Sequence, residues 1–234
     1  MAGFSGTVAA GGLATAVHEA KNEAASSSVV PGAPGSDATY ARGALALAST
    51  APGVAPIAGA RVGVGAGGEG GLAYTGRAVR ADVRRSFELS AHWDLSVGAG
   101  GSAALYGRQP GGPLPNVDLG QLHGWGADVP VIVGYESDGD LYAVWLGARG
   151  GWEHVDISDV RSTPDGAIGP GPIALSATRF WGGGLLGAAV GFRHVHVAME
   201  LDASYASVTG DYNATHGSVA GVTLAPASAV WWHF

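Results

Sequence analysis

Strict alternation of side-chain character, repeated in one segment after another, is the strongest constraint on this chain. In 92–106, Trp93, Leu95, Val97, Ala99, Ala103 and Leu105 fall on one parity, and His92, Asp94, Ser96 and Ser102 on the other. In 194–207, Val195, Val197, Met199, Leu201, Ala203 and Tyr205 oppose His194, His196, Glu200, Asp202 and Ser204. Successive side chains of a strand point to opposite faces, so a period of two describes a sheet with one apolar and one polar side. Residues 61–75, 77–89, 121–136, 141–154, 176–193 and the tail 218–234 carry the same pattern. Residues 4–19 and 40–49 alternate more weakly, the latter with Leu45 and Leu47 opposite Tyr40 and Arg42. Read as a first hairpin, they bring the count to ten strands. Eight strands preceded by an N-terminal extension over 1–58 is the alternative. Either way the chain is a single all-β domain over 1–234.

Composition narrows the class. Hydrophobic residues make up 47% of the chain, yet no stretch resembles the roughly 20 apolar residues of a spanning helix. The long charge-free stretch 43–60 is broken by Pro52, Pro56 and several glycines. Glycine occurs 41 times and charged residues reach only 13%, against a usual ~7% and ~25%. Disordered glycine-rich chains do not also carry 7 Trp, 7 Tyr and 5 Phe at ordered spacings. The absence of cysteine excludes disulfides and thiolate metal sites. A net charge of −7 argues against nucleic acid as a partner. No basic segment followed by an apolar one opens the chain, so an exported form has already lost its signal peptide.

The connections sort by length. One side holds 90–92, the Asp138-Gly139 turn and a tight turn near Arg193, together with a longer connection over 50–60. The other side holds 20–39, 107–120, 156–174 and 209–217, with the short Thr75-Gly76-Arg77 turn as the exception. Aromatic residues mark strand ends: Tyr142 and Trp152 lie ten residues apart, as do Trp125 and Tyr135, and Phe180 and Phe192 lie twelve apart. Trp93, Tyr205 and Trp232 share the apolar parity of their strands. A tilted membrane strand spans about 9–11 residues and ends in aromatic girdles, with short turns at one end and long loops at the other. A soluble β-sandwich explains the alternation but neither the spacing nor the sorting.

The chain ends Val230-Trp231-Trp232-His233-Phe234, with Phe234, Trp232, Val230, Leu224 and Val222 on one parity. A terminal Phe on an alternating strand resembles the C-terminal assembly signal of small bacterial outer-membrane β-barrel proteins, here Val230, Trp232 and Phe234. The resemblance covers about ten residues. It implies a transmembrane, antiparallel, up-and-down barrel with both termini periplasmic and long loops extracellular. It also implies outer-membrane lipid and the barrel-assembly machinery as partners, and other envelope proteins as further candidates.

If the apolar face meets lipid, the lumen receives Arg80, Asp82, Arg84, Glu88, Asp94, Asp128, Arg149, Glu153, Arg179, Arg193, Glu200 and Asp202. A barrel of this size is about wide enough inside for side chains to fill, so these charges must pair. The inward glycines 63, 65, 67, 98, 100, 183 and 187 are expected to leave lumen volume. Pro130 and Pro226, inside strands, each remove a ladder donor and predict a bulge or local break. Gly63 to Gly68 matches a dinucleotide-binding glycine pattern, but that site needs a helix next, where this pattern continues as strand. His194 and His196 share a face, with Glu200 further along, and Asp156, Asp159 and Asp165 make an acidic loop; neither set completes a metal site. His123 and His154 share the parity of Trp125 and Trp152, and no catalytic constellation or cofactor motif emerges. The expected function is a non-enzymatic anchor or partner-binding subunit of an envelope assembly. The alternatives are a narrow passive pore for ions or small solutes, and a barrel enzyme acting on lipid or peptide.

Overall fold

The computed structural model describes residues 1–26, 38–50, 53–104, 114, 117, 121–159, 173–192 and 194–232. The alternating segments become ten antiparallel strands: β1 (Ala2–Ala10), β2 (Gly53–Gly65), β3 (Gly68–Tyr74), β4 (Ala78–Ser90), β5 (Trp93–Ala104), β6 (Leu122–Glu136), β7 (Tyr142–Asp159), β8 (Ile173–Phe192), β9 (Val195–Tyr212) and β10 (Thr215–Trp232). Each strand pairs with its sequence neighbours, and β1 pairs with β10 to close the barrel.

The register determines the barrel's dimensions. On one side Ala2 pairs with Val230. Going the other way, partner to partner through Ala58, Tyr74, Val79, Ala103, Trp125, His154, Thr178 and Thr209, the path reaches Ser218, a stagger of twelve residues. Over ten strands ~4.8 Å apart, that stagger tilts the strands by about 40° and sets a backbone radius of about 10 Å. Both described chain ends, Met1 and Trp232, lie at one end of the barrel, called here the terminal end; the other is the loop end.

The ten strands are not the ten read from the pattern. Residues 61–75 are two strands joined by a two-residue turn at Ala66-Gly67, whose φ values of 51° and 72° are both positive. That geometry matches the twist of the flanking strands. The glycine run 63–68 is therefore a hairpin tip rather than a continuing strand, and the expected 50–60 connection is largely strand β2. The 209–217 segment is also shorter as a loop than expected, since Tyr212 already pairs with Thr215. Asp156 lies within β7, not in a loop.

Residues 40–49 are helical. The connection from β1 to β2 carries α1 (Gly12–Ser26) and α2 (Ala38–Thr50), so the first hairpin of the sequence reading is one strand followed by two helices. Gly11, at φ 61°, ends β1 and turns the chain inward. Leu13, Ala16 and Ala20 line one buried stripe of α1, whereas Thr15, His18, Glu19, Lys21 and Asn22 are exposed on the other side. In α2, every residue from Gly43 to Thr50 is buried. The helix packs on the inner faces of β8, β9 and β10. A helix satisfies its own backbone donors and acceptors, so it can occupy a lumen without joining the wall ladder. Leu13, Tyr40, Leu45 and Leu47 thus meet Val155, Ile157, Val208 and Tyr212 from the wall, and Leu114 and Val117 join the same cluster. The hydrophobic core lies inside the loop-end half of the barrel. Gly43 allows the two helices to cross: a Cβ there would lie 2.7 Å from the Ala16 carbonyl and overlap the Ala20 methyl.

The strand prolines are accommodated without bulges. β6 pairs continuously with β7 through Pro130 and Arg149, while its ladder to β5 skips between Val97–Val131 and Gly100–Asp128 and resumes in the same register. Pro226 does the same, continuous with β9 and skipped on the β1 side between Ser5 and Val8. A missing N–H affects one neighbour only, so one ladder opens and the register survives.

Candidate functional site

The outside of the barrel is apolar. Phe180, Val190 and Met199 are more than 60% exposed, and Phe4, Val62, Val83, Leu186, Val197 and Leu201 share this face. Its aromatics form two groups. Trp93, Tyr135 and Tyr142 stack in sequence near the terminal end, with centroids 5.3 and 6.0 Å apart. Phe192 and Trp232, both paired with Val195, are exposed at the same end. Trp125 and Trp152 stack edge to face at 4.4 Å nearer the loop end, where Phe180 and Tyr205 also face outward. Ten residues of strand span about 33 Å, or about 25 Å along the axis at the tilt derived above. Val230 faces outward on the closing strand; Phe234 lies outside the described residues, as do Arg193 and Asp165.

The inside is polar at mid-height. Arg80 grips Asp128 with two parallel bonds, Nε to Oδ1 at 3.0 Å and Nη2 to Oδ2 at 2.8 Å, and donates to Asp82 through Nη1. Arg149 donates from Nε to Asp128 Oδ2 at 2.9 Å. Arg61 reaches Asp82 at 2.9 Å and Glu69 at 3.4 Å, and Arg84 approaches Asp82 at 3.5 Å. The Asp82 side chain is only 2% exposed. Carboxylates this deep are tolerable because each is held by several cations; a buried carboxylate without partners would be very costly. Nearer the helices, Arg77 and Arg179 share Glu153 at 3.2 and 3.6 Å. Arg179 also donates to the Ser49 carbonyl at 2.6 Å, binding the wall to the end of α2.

Three inward tryptophans complete the lumen. Trp181 lies beneath the guanidinium groups of Arg149 and Arg179, at 5.3 and 5.6 Å. Trp145 donates to Glu200 at 2.8 Å and lies 5.9 Å from Trp231. His196 contacts the Asp140 carbonyl at 2.7 Å and stacks on Trp231 at 6.0 Å. Several wall glycines lie opposite these groups. A Cβ at Gly100 would overlap the Arg80 guanidinium, one at Gly98 would lie 2.8 Å from Arg84 Cγ, and one at Gly187 would overlap the Trp145 indole. The expectation that inward glycines leave open volume is therefore corrected in part: Gly98, Gly100 and Gly187 make room for Arg84, Arg80 and Trp145, and Gly67 and Gly183 lie close to neighbouring strands. Gly63 and Gly65 have nothing within 4 Å of where a Cβ would lie.

Below the ion pairs the lumen opens into a vestibule of about 1020 Å³ at the terminal end. Arg61, Arg84 and Arg149 line one part of it; Trp145, Trp231, Ile57 and Ile132 line another.

Of the charges read from the sequence, Arg80, Asp82, Arg84, Asp128, Arg149, Glu153 and Arg179 come together here. Asp202 stands within electrostatic reach of Arg149 and Arg179 and beside Ser204. Glu200 serves Trp145 instead of an arginine. Glu88 and Asp94 have inward parity but pair with each other's backbone at the exposed end of β4 and β5, away from the arginines. Arg61, Glu69 and Arg77 join the network; Arg61 and Glu69 have the polar parity of 61–75 but are not among the expected lumen charges. Arg77 falls in the Thr75-Gly76-Arg77 turn of the sequence pattern, where parity carries no signal. The inward tryptophans were legible, since Trp145, Trp181 and Trp231 have the opposite parity to Tyr142, Phe180 and Trp232. Among the described residues no group of three metal-ligating side chains assembles. No family model, curated protein or solved structure matches this chain.

Proposed function

We propose that this chain is a bacterial outer-membrane barrel that serves as a non-conducting anchor or partner-binding subunit of an envelope assembly. The observation that carries this reading is the helical plug: α2 lies buried within the loop-end half of the lumen. An apolar exterior between aromatic groups about 25 Å apart supports a membrane location, because a soluble protein rarely exposes so continuous an apolar surface. In this orientation the termini and vestibule face the periplasm. The polar side of α1 and the loop end of the barrel face outward and are the surfaces offered to partners. Outer-membrane lipid surrounds the wall, and the barrel-assembly machinery would insert it.

The test is single-channel recording of the refolded protein in a planar bilayer. Insertion without ohmic current steps is expected. Reproducible steps from the intact chain would overturn the plugged reading in favour of a narrow pore.

A further inference from the structure

The vestibule is more than a void beneath the plug, because two of its arginines are under-used. Arg84 touches protein only through Nε, at 3.5 Å from Asp82. Arg149 donates through Nε to Asp128 and rests its guanidinium near Trp181. Among the described residues the terminal nitrogens of both have no protein acceptor, and both side chains line the same cavity. Arg84 also stands within electrostatic reach of Arg61, Arg80 and Arg149, so like charges surround it. The carboxylates that contact these arginines are already committed, while Glu136, further along β6, also lines the cavity. Asp82 serves Arg61 and Arg80, Asp128 serves Arg80 and Arg149, and Glu69 pairs with Arg61 at the exposed edge. Glu200 accepts from Trp145, and Asp202 lies beside Ser204. A guanidinium presents a planar fork of donors suited to an oxyanion. The cavity lining also includes a surface different in kind: Trp145 and Trp231 with Ile57 and Ile132.

We infer that the vestibule binds a small molecule carrying a phosphate or carboxylate on an aromatic or apolar body. The oxyanion meets the free edges of Arg84 and Arg149, and the body lies against Trp145 and Trp231. The volume of about 1020 Å³ is at the upper end of the range for small-molecule sites. Ligand enters from the terminal end, since the plug fills the other. The inference requires the folded barrel, not its location in a membrane, so the same binding is expected in micelles and in bilayers.

The experiment is isothermal titration of phenyl phosphate into the full chain in neutral phosphatidylcholine nanodiscs, with inorganic phosphate and phenol as comparison probes. Phenyl phosphate is expected to bind more tightly than either. Arg84→Gln should weaken it about tenfold, the loss expected for a charge-assisted contact. Trp231→Ala should bring phenyl phosphate down to the affinity of inorganic phosphate. Arg84 makes the weaker protein contact of the two arginines, so its variant retains the Asp128 cluster; circular dichroism verifies its strand content. Binding of phenyl phosphate that is unchanged in Arg84→Gln, or absent at millimolar concentration in the unmodified chain, overturns the inference. A phenol affinity equal to that of phenyl phosphate overturns it too, because the arginines would then contribute nothing. Micelle and nanodisc results that agree separate this outcome from any failure of the membrane reading.

Discussion

Gly43→Val tests the plug at the point where its two helices touch. A Cβ at position 43 would lie 2.7 Å from the Ala16 carbonyl oxygen and closer still to the Ala20 methyl. Ordinary carbon–carbon contact is about 3.5–4.0 Å. The helices must therefore separate by more than 1 Å, or α2 must slide against β8–β10. Overpacking of this kind costs about 1–3 kcal/mol. Replacing an interior helical glycine gains part of that back. Alanine recovers about 1 kcal/mol of helix propensity, and valine, being β-branched, only a few tenths. Valine is accordingly the sharper probe, with an expected net loss of about 1–3 kcal/mol. The wall ladders do not pass through α1 or α2, so the ten strands should still form. Two readouts follow. Thermal melting in detergent should show a lower midpoint at unchanged strand content, and planar bilayers should show intermittent current through a loosened plug. Lys21→Ala, on the exposed side of α1, is the control and should stay within ±0.5 kcal/mol. If Gly43→Val melts like the unmodified chain and stays silent, the helices do not cross as described and the reasoning fails.

Other outcomes follow from the same structure. Asp128→Asn leaves Arg80 and Arg149 without their shared carboxylate and should destabilise the barrel by about 3–5 kcal/mol, read by denaturant unfolding of the refolded protein. Leu186→Arg, between Phe180 and Phe192 on the exposed face of β8, should cost about 2–4 kcal/mol of membrane insertion. Quantitative refolding into bilayers with unchanged yield would refute the lipid-facing assignment. The inward glycines should differ sharply: Gly187→Val collides with Trp145 and should lower the melting midpoint, whereas Gly63→Val meets nothing within 4 Å and should be neutral or mildly stabilising. Equal effects at the two sites would refute the complementarity of wall glycines and lumen side chains.

Much of the wall was legible because a half-buried strand has to alternate. The parity of Leu186 against Arg179, or of Val197 against His196, follows from the pleat alone, and so do the aromatic spacings. The closed ring of ten antiparallel strands agrees with the expected count, though not with all of the expected members. The charge pairs could be anticipated as a class, since lumen charges must be matched, but not as partners. Arg80 and Asp128 are 48 residues apart, and the registers of β4, β5 and β6, with Gly100 between the two side chains, bring them together.

The helices show where local pattern misleads. Ala44-Leu45-Ala46-Leu47-Ala48 alternates like a strand, yet it forms α2. Inside the lumen every side of the segment meets apolar surface, so the period of two carries no information about which face is buried. The chain's own order of residues therefore determined a two-faced sheet, its aromatic boundaries and a charged interior. Tertiary structure alone decided that the first connection folds back into the barrel, which glycines make room for which side chains, and that helices pack in one half of the lumen while a cavity lies in the other. Those properties depend on what stands opposite each residue across a space of about 20 Å, and no local period encodes that distance.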